Sequence, residues 1–91
     1  MKVKYYDLEN KRVFITGGGS GIGASIVEHF CEQKAEVYFI DINEDESNKL
    51  ISECKNKNFS APNFIKCDLL NIKELQSTIS KIISEKGPIE I

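Results

Sequence analysis

Apolar residues along the chain come in two spacings that take turns. Val13, Phe14 and Ile15, then Val37, Tyr38, Phe39 and Ile40, then Phe64 and Ile65 form short unbroken runs rich in β-branched and aromatic side chains. Such runs read as strands buried on both faces, and they predict strands over 12–16, 36–41 and 63–67. Between them the spacing lengthens to that of a helix. Ile22, Ile26, Val27 and Phe30 fall at i, i+4, i+5 and i+8, which is one helical face and predicts a helix over 21–33. Leu50, Ile51 and Cys54 supply the buried side of a second helix, for which Asn43 is the cap, with Glu46 three residues on. Ile72, Leu75, Ile79, Ile82 and Ile83 repeat at helical spacing behind a second such signal, Asn71 and Glu74. Lys86, Gly87 and Pro88 then end the helix: lysine suits its negative end, glycine the position after it, and proline stops continuation. Asn10 marks a turn before the first strand, and residues 89–91 begin a fourth. Strand and helix alternating three times with short connections predict an α/β fold, a parallel sheet with right-handed crossovers and helices on both faces.

The connection between the first strand and first helix carries the chemistry. Residues 16–23 read Thr-Gly-Gly-Gly-Ser-Gly-Ile-Gly. A glycine-dense turn there lets backbone approach a pyrophosphate at the positive end of a helix dipole. Spacing separates the possible phosphate loops. A Walker A loop needs lysine and then Ser or Thr after its last glycine, but Gly23 is followed by Ala24 and Ser25. G-x-G-x-x-G fails too, because its last glycine falls on Ile22 or Ile26 when started from Gly17 or Gly21. G-x-x-x-G-x-G over Gly17, Gly21 and Gly23 fits.

This run resembles the cofactor loop of the short-chain dehydrogenase/reductase family, and the order of elements resembles that family from Leu8 to Ile91. The resemblance implies part of an NAD(P)-binding Rossmann fold, with strand order 3-2-1 and the start of strand 4, and a dinucleotide as the partner. It implies that Asp41, at the tip of the second strand, accepts hydrogen bonds from the adenosine ribose and repels the 2′-phosphate of NADP. NADP-preferring members usually carry a basic residue beside the second glycine or just beyond the second strand, where this chain has Ser20 and Ile42. NAD is therefore the expected cofactor. After the third strand stand Cys67, Asp68 and Leu69. By the resemblance, the Asp68 carboxylate takes the adenine amino group and the Leu69 N–H a ring nitrogen; an Asp beside a helix start also simply complements the dipole. In the loop, Gly17, Gly19, Gly21 and Gly23 shape the backbone, Ser20 offers a hydroxyl, and the Ile22 N–H points at phosphate from the first helical turn.

Composition narrows the partners. With 12 Lys and Arg against 14 Asp and Glu the formal charge is −2, and the lysines are interspersed with acids, so no nucleic-acid face is expected. No stretch approaches the ~20 apolar residues that span a bilayer, and the first residues lack a signal peptide's apolar segment, so neither a membrane partner nor export is expected and the reading is cytoplasmic. Cys31, Cys54 and Cys67 are odd in number and widely spaced, with His29 the single imidazole. They read as buried reduced thiols rather than a disulfide framework or a zinc site, and His29 as a solvated helix residue.

The family's chemistry uses a Tyr-x-x-x-Lys pair, a serine and an asparagine. Four residues after Tyr5, Tyr6 and Tyr38 stand Glu9, Asn10 and Ile42. The three tyrosines therefore read as packing residues or surface anchors, and no catalytic residue is assigned. The expectation is a single truncated dinucleotide-binding domain over 1–91, the cofactor half of an NAD-dependent alcohol or carbonyl oxidoreductase, inactive alone and self-associating through its open sheet edge or uncovered helix faces. Two other readings stand beside it: a non-enzymatic nucleotide-binding or self-associating module, and a fragment of a methyltransferase.

Overall fold

The computed structural model describes residues 9–19 and 21–89. Strands β1 (Arg12–Thr16), β2 (Glu36–Asp41) and β3 (Asn63–Lys66) alternate with helices α1 (Gly21–Glu32), α2 (Glu44–Asn56) and α3 (Ile72–Lys86). β2 lies between the other two strands, and both pairings are parallel. Arg12 stands opposite Glu36 and Thr16 opposite Ile40, while Tyr38 stands opposite Asn63 and Asp41 opposite Lys66. The expected order 3-2-1 is therefore present. Ile89 belongs to no strand, and the rest of the expected fourth strand lies outside the described residues, as do Tyr5 and Tyr6.

Moving twice in the same direction across the sheet, the chain places α1 and α2 on one face, because both crossovers are right-handed. Val13, Val37 and Phe39 from the sheet, Val27 and Cys31 from α1, and Leu50 and Cys54 from α2 form the core, with Ile15 and Phe64 packed against it. Phe39 and Phe64, partners across two strands, hold their rings 5.3 Å apart. Alternation sends Tyr38 and Ile65 to the opposite face, where α3 lies over them around a cleft of about 310 Å³ that Ile82 also lines.

Polar ties close the ends of the layers. Asn43 and Asn71 cap α2 and α3 as expected, accepting from the Glu46 N–H (3.0 Å) and the Glu74 N–H (3.1 Å). Asn10, at φ 64°, makes the left-handed turn into β1. Arg12 donates from Nε to Glu36 (2.5 Å) and from Nη1 to the Pro88 carbonyl (2.9 Å), which fastens the chain after α3 to the start of the sheet. Lys57 pairs with Glu28 across α1 and α2. The Ser60 hydroxyl donates to the carbonyls of Cys31 and Ala35, holding the approach to β3 against the end of α1.

Two helical faces differ from the sequence reading. Ile22 and Ile26 are not on the buried stripe of α1: they are 82% and 42% exposed, and Val27 and Cys31 are the residues buried there. On α3, Ile82 is buried, whereas Ile72 and Ile83 are exposed. The first difference follows from the glycine loop, described below. On the α3 side Tyr38 and Ile65 share a cleft with the helix, and Ile82 is the α3 residue buried toward it.

All three cysteines are free and buried. The Cys31 and Cys54 thiols meet at the α1–α2 interface, and burial pushes Cys31 up to about 12 and Cys54 upward as well. The raised folded-state value means that these thiols favour the fold below the unfolded thiol range and lose that contribution as pH rises toward 12. Urea-unfolding midpoints should therefore fall between pH 9 and 11, with each thiol contributing at most about 1.4 kcal/mol per pH unit. A Cys31→Ala chain should decline less steeply over the same range, and an equal decline would remove Cys31 as the cause.

Candidate functional site

The turn from β1 into α1 is folded over the end of β2. The N–H groups of Gly17 and Gly18 both donate to the Ile40 carbonyl, at 2.8 and 3.3 Å, and the Gly19 N–H donates to Asp41 Oδ2 at 3.0 Å. Gly17 and Gly21 stand at φ 67° and 60°, left-handed conformations that a residue with a Cβ adopts at a cost. Gly23 answers a different demand. A Cβ built there lies 1.9 Å from the Gly17 carbonyl oxygen, so only glycine lets the first turn of α1 sit on the loop.

That contact sets the rotation of the helix. With position 23 against the loop, positions 27 and 31 follow on the same side at intervals of four, and Val27 and Cys31 are accordingly inaccessible. Ile22 and Ile26 precede positions 23 and 27 by one residue each, a rotation of about 100°. They emerge on the flank. The loop spends its first three N–H groups inside the fold, whereas the first-turn N–H groups of α1, that of Ile22 among them, have no acceptor within the helix. A helix start of this kind favours an anion.

Three chain segments converge beside the loop. Gly17, Asp41, Ile42, Cys67, Asp68 and Leu69 line a cleft of about 200 Å³ at the carboxyl ends of β1, β2 and β3. This is where an open parallel sheet presents its loops, and where such sheets bind ligands. Asp41 is half-buried, Cys67 buried, and Ile42, Asp68 and Leu69 exposed. Asp41 Oδ1 also accepts from the Asn43 N–H at 2.8 Å. Asp68 Oδ1 accepts from the Leu70 N–H at 2.9 Å and its carbonyl from the Asn71 N–H, so it organises the turn that leads to the α3 cap. Lys66, opposite Asp41 across the strands, directs its ammonium to Glu44 at 3.7 Å. Among the described residues no lysine or arginine lines the cleft. Ser20 lies outside the described residues.

The arrangement offers acceptors, backbone donors and two carboxylates. Burial pushes the Cys67 thiol up, which disfavours the thiolate form, and His29 stands on α1. No group of three or more His, Cys, Asp or Glu able to hold a metal is present among the described residues.

A family model described as short chain dehydrogenase matches residues 11–91. The chain belongs to the short-chain dehydrogenase family. Its members bind NAD or NADP. A probable galactose dehydrogenase of Rhizobium meliloti (strain 1021) is 35% identical over 88 residues, which are 97% of this chain and 34% of that protein. A D-xylose 1-dehydrogenase of Caulobacter vibrioides is 41% identical over 78 residues, 86% of this chain and 31% of that one. Among solved structures, a hydroxysteroid dehydrogenase from Escherichia coli superposes with a TM-score of 0.80 at 32% identity, over 92% of this chain and 35% of its own. This short-chain dehydrogenase sequence thus spans about a third of the length of the relatives it matches.

Two residues escaped the sequence reading. Gly18 carries no Cβ because one would meet the side chains of Phe39 and Val27 at 2.8 Å, and Ser47, on α2, is inaccessible and lies directly behind Gly19. Nothing in local spacing marks either, since both answer to neighbours distant in the chain.

The glycines of this short-chain dehydrogenase loop should respond unequally to alanine. Gly21→Ala, at positive φ in open space, should cost roughly 1–2 kcal/mol. Gly23→Ala should cost about 3 kcal/mol or more, because backbone must move to admit the methyl group. Urea-unfolding midpoints of the two variants check the order, and a G23A midpoint at or above that of G21A would contradict it.

Proposed function

We propose that this chain holds the adenosine end of NAD for a short-chain oxidoreductase. The observation that carries the reading is the cleft itself, which gathers Asp41 from the end of β2 and Asp68 and Leu69 from the turn after β3 beside the glycine turn. Its volume, about 200 Å³, is below the roughly 300–1,000 Å³ of sites that enclose a whole drug-sized ligand, and suits one end of a dinucleotide.

Each residue then has a chemical task. Asp41 accepts from the ribose hydroxyls, Asp68 from the adenine amino group, and the Leu69 N–H donates to a ring nitrogen. Gly17, Gly19, Gly21 and Gly23 let the backbone approach the pyrophosphate. Ser20 and the Ile22 N–H supply donors to it, and Ile42 and Cys67 contribute the apolar wall. When bound, NAD supplies the hydride acceptor of an alcohol-oxidising reaction. The role assigned to these residues is binding and orientation, since no tyrosine of the 91 residues has a lysine four positions on. Two carboxylates, and no lining cation among the described residues, support NAD over NADP, because a 2′-phosphate at Asp41 meets like charge.

Titration calorimetry of the chain against NAD and NADP tests this. NAD should bind at least tenfold more tightly, a difference of about 1.4 kcal/mol. Binding of neither dinucleotide, or tighter binding of NADP, would overturn the reading.

A further inference from the structure

Asp41 does two things in this fold that ribose recognition does not require. Its Oδ2 accepts from the Gly19 N–H at 3.0 Å, and its Oδ1 accepts from the Asn43 N–H at 2.8 Å. The carboxylate thereby bridges the glycine loop and the turn that starts α2. Behind it, Ser47 is inaccessible; its hydroxyl donates to the Asn43 carbonyl at 2.6 Å. The same Ser47 oxygen lies 2.5 Å from where a Gly19 Cβ would be, and the Asp41 Cγ lies 3.0 Å from that point. Gly19 is therefore pulled against Asp41 and backed by Ser47, with no room for a side chain. The bonds from Gly17 and Gly18 to the Ile40 carbonyl hold the start of the loop through backbone alone, whereas its third residue is held by one side chain.

We propose that Asp41 is a positioning residue for the glycine loop: its carboxylate sets the path by which the loop reaches the start of α1, and so couples ribose recognition to pyrophosphate binding. This rests on the reading that the cleft takes the adenosine end of a dinucleotide. The two roles are compatible on one group. A carboxylate has about four lone-pair sites, and the two backbone N–H groups use one on each oxygen. About two remain for ribose hydroxyls. One consequence separates this from a purely ribose-binding aspartate: replacing Asp41 weakens even a ligand that has no ribose hydroxyls to offer. A second concerns cofactor preference, because removing the carboxylate to admit a 2′-phosphate also loosens the loop that binds the phosphates.

The probes are ADP and 2′,3′-dideoxy-ADP, titrated calorimetrically into the chain and into its Asp41→Asn and Gly19→Ala variants, with folding checked by circular dichroism. Asp41→Asn keeps the shape but turns an amide against one of the two N–H donors. It should weaken dideoxy-ADP at least tenfold and ADP by more. Gly19→Ala keeps the carboxylate but displaces the loop, and should weaken both ligands by a similar factor. Dideoxy-ADP affinity unchanged within twofold in the Asp41→Asn chain, with ADP weakened, would overturn the inference and leave the cofactor reading standing. Failure of the unsubstituted chain to bind ADP would overturn both. Should Asp41→Asn not fold, amide exchange in the unsubstituted ligand-free chain decides: Gly19 should exchange at least tenfold more slowly than in an unstructured chain, and exchange at the unstructured rate refutes the tether.

Discussion

Everything at the working end of this fold follows from how closely α1 approaches the loop that precedes it. The Gly17 carbonyl occupies the space that a side chain at position 23 would need. Close approach sets the rotation of α1 about its axis, and the rotation decides which residues of that helix are core and which are surface. Val27 and Cys31 go inward, Cys31 meets Cys54 of α2, and Ile22 and Ile26 are carried onto the flank. A helix packed by its hydrophobic stripe alone would have turned the isoleucines inward. Steric exclusion at one backbone atom outweighs the burial of two aliphatic side chains, each worth about 1.5–3 kcal/mol when fully buried, because overlap with a carbonyl oxygen has no relaxed alternative.

Sheet geometry explains why the groups of the candidate site collect where they do. Parallel strands end together, so the loops after β1, β2 and β3 meet at one edge, and the loop after β1 is drawn across β2 by two hydrogen bonds to Ile40. Asp41 closes the arrangement from beneath. Polar groups here are shared between holding the fold and facing the cleft. Asp68 follows the same rule: one oxygen steadies the turn into α3, and the residue remains exposed at the cleft.

Membership of the short-chain dehydrogenase family rests on sequence across residues 11–91, and the fold agrees with it. The chain spans about a third of the length of its relatives, and the matched portion carries β1 to α3, where the proposed cofactor cleft lies. The sugar-dehydrogenase activities belong to those two relatives; in the proposed arrangement the residues of this cleft face a nucleotide rather than a reducing substrate.

Local rules in the sequence were enough for the element order, the parallel class, both asparagine caps, the left-handed turn at Asn10 and the stop at Gly87. Each depends on residues within a few positions of one another, so spacing and side-chain type determine them. The glycine spacing and the acid ending β2 were legible for the same reason, as a strand-to-helix turn with one fixed geometry. What tertiary structure alone decided is long-range: the inward face of α1, the exposure of Ile72 and Ile83 on α3, the glycine at 18 that Phe39 and Val27 require, and the bond from Gly19 to Asp41 across 22 positions. Periodicity marks an apolar stripe but carries no information about which neighbour will be there to cover it, and a close approach between two backbones leaves no trace in sequence except a glycine.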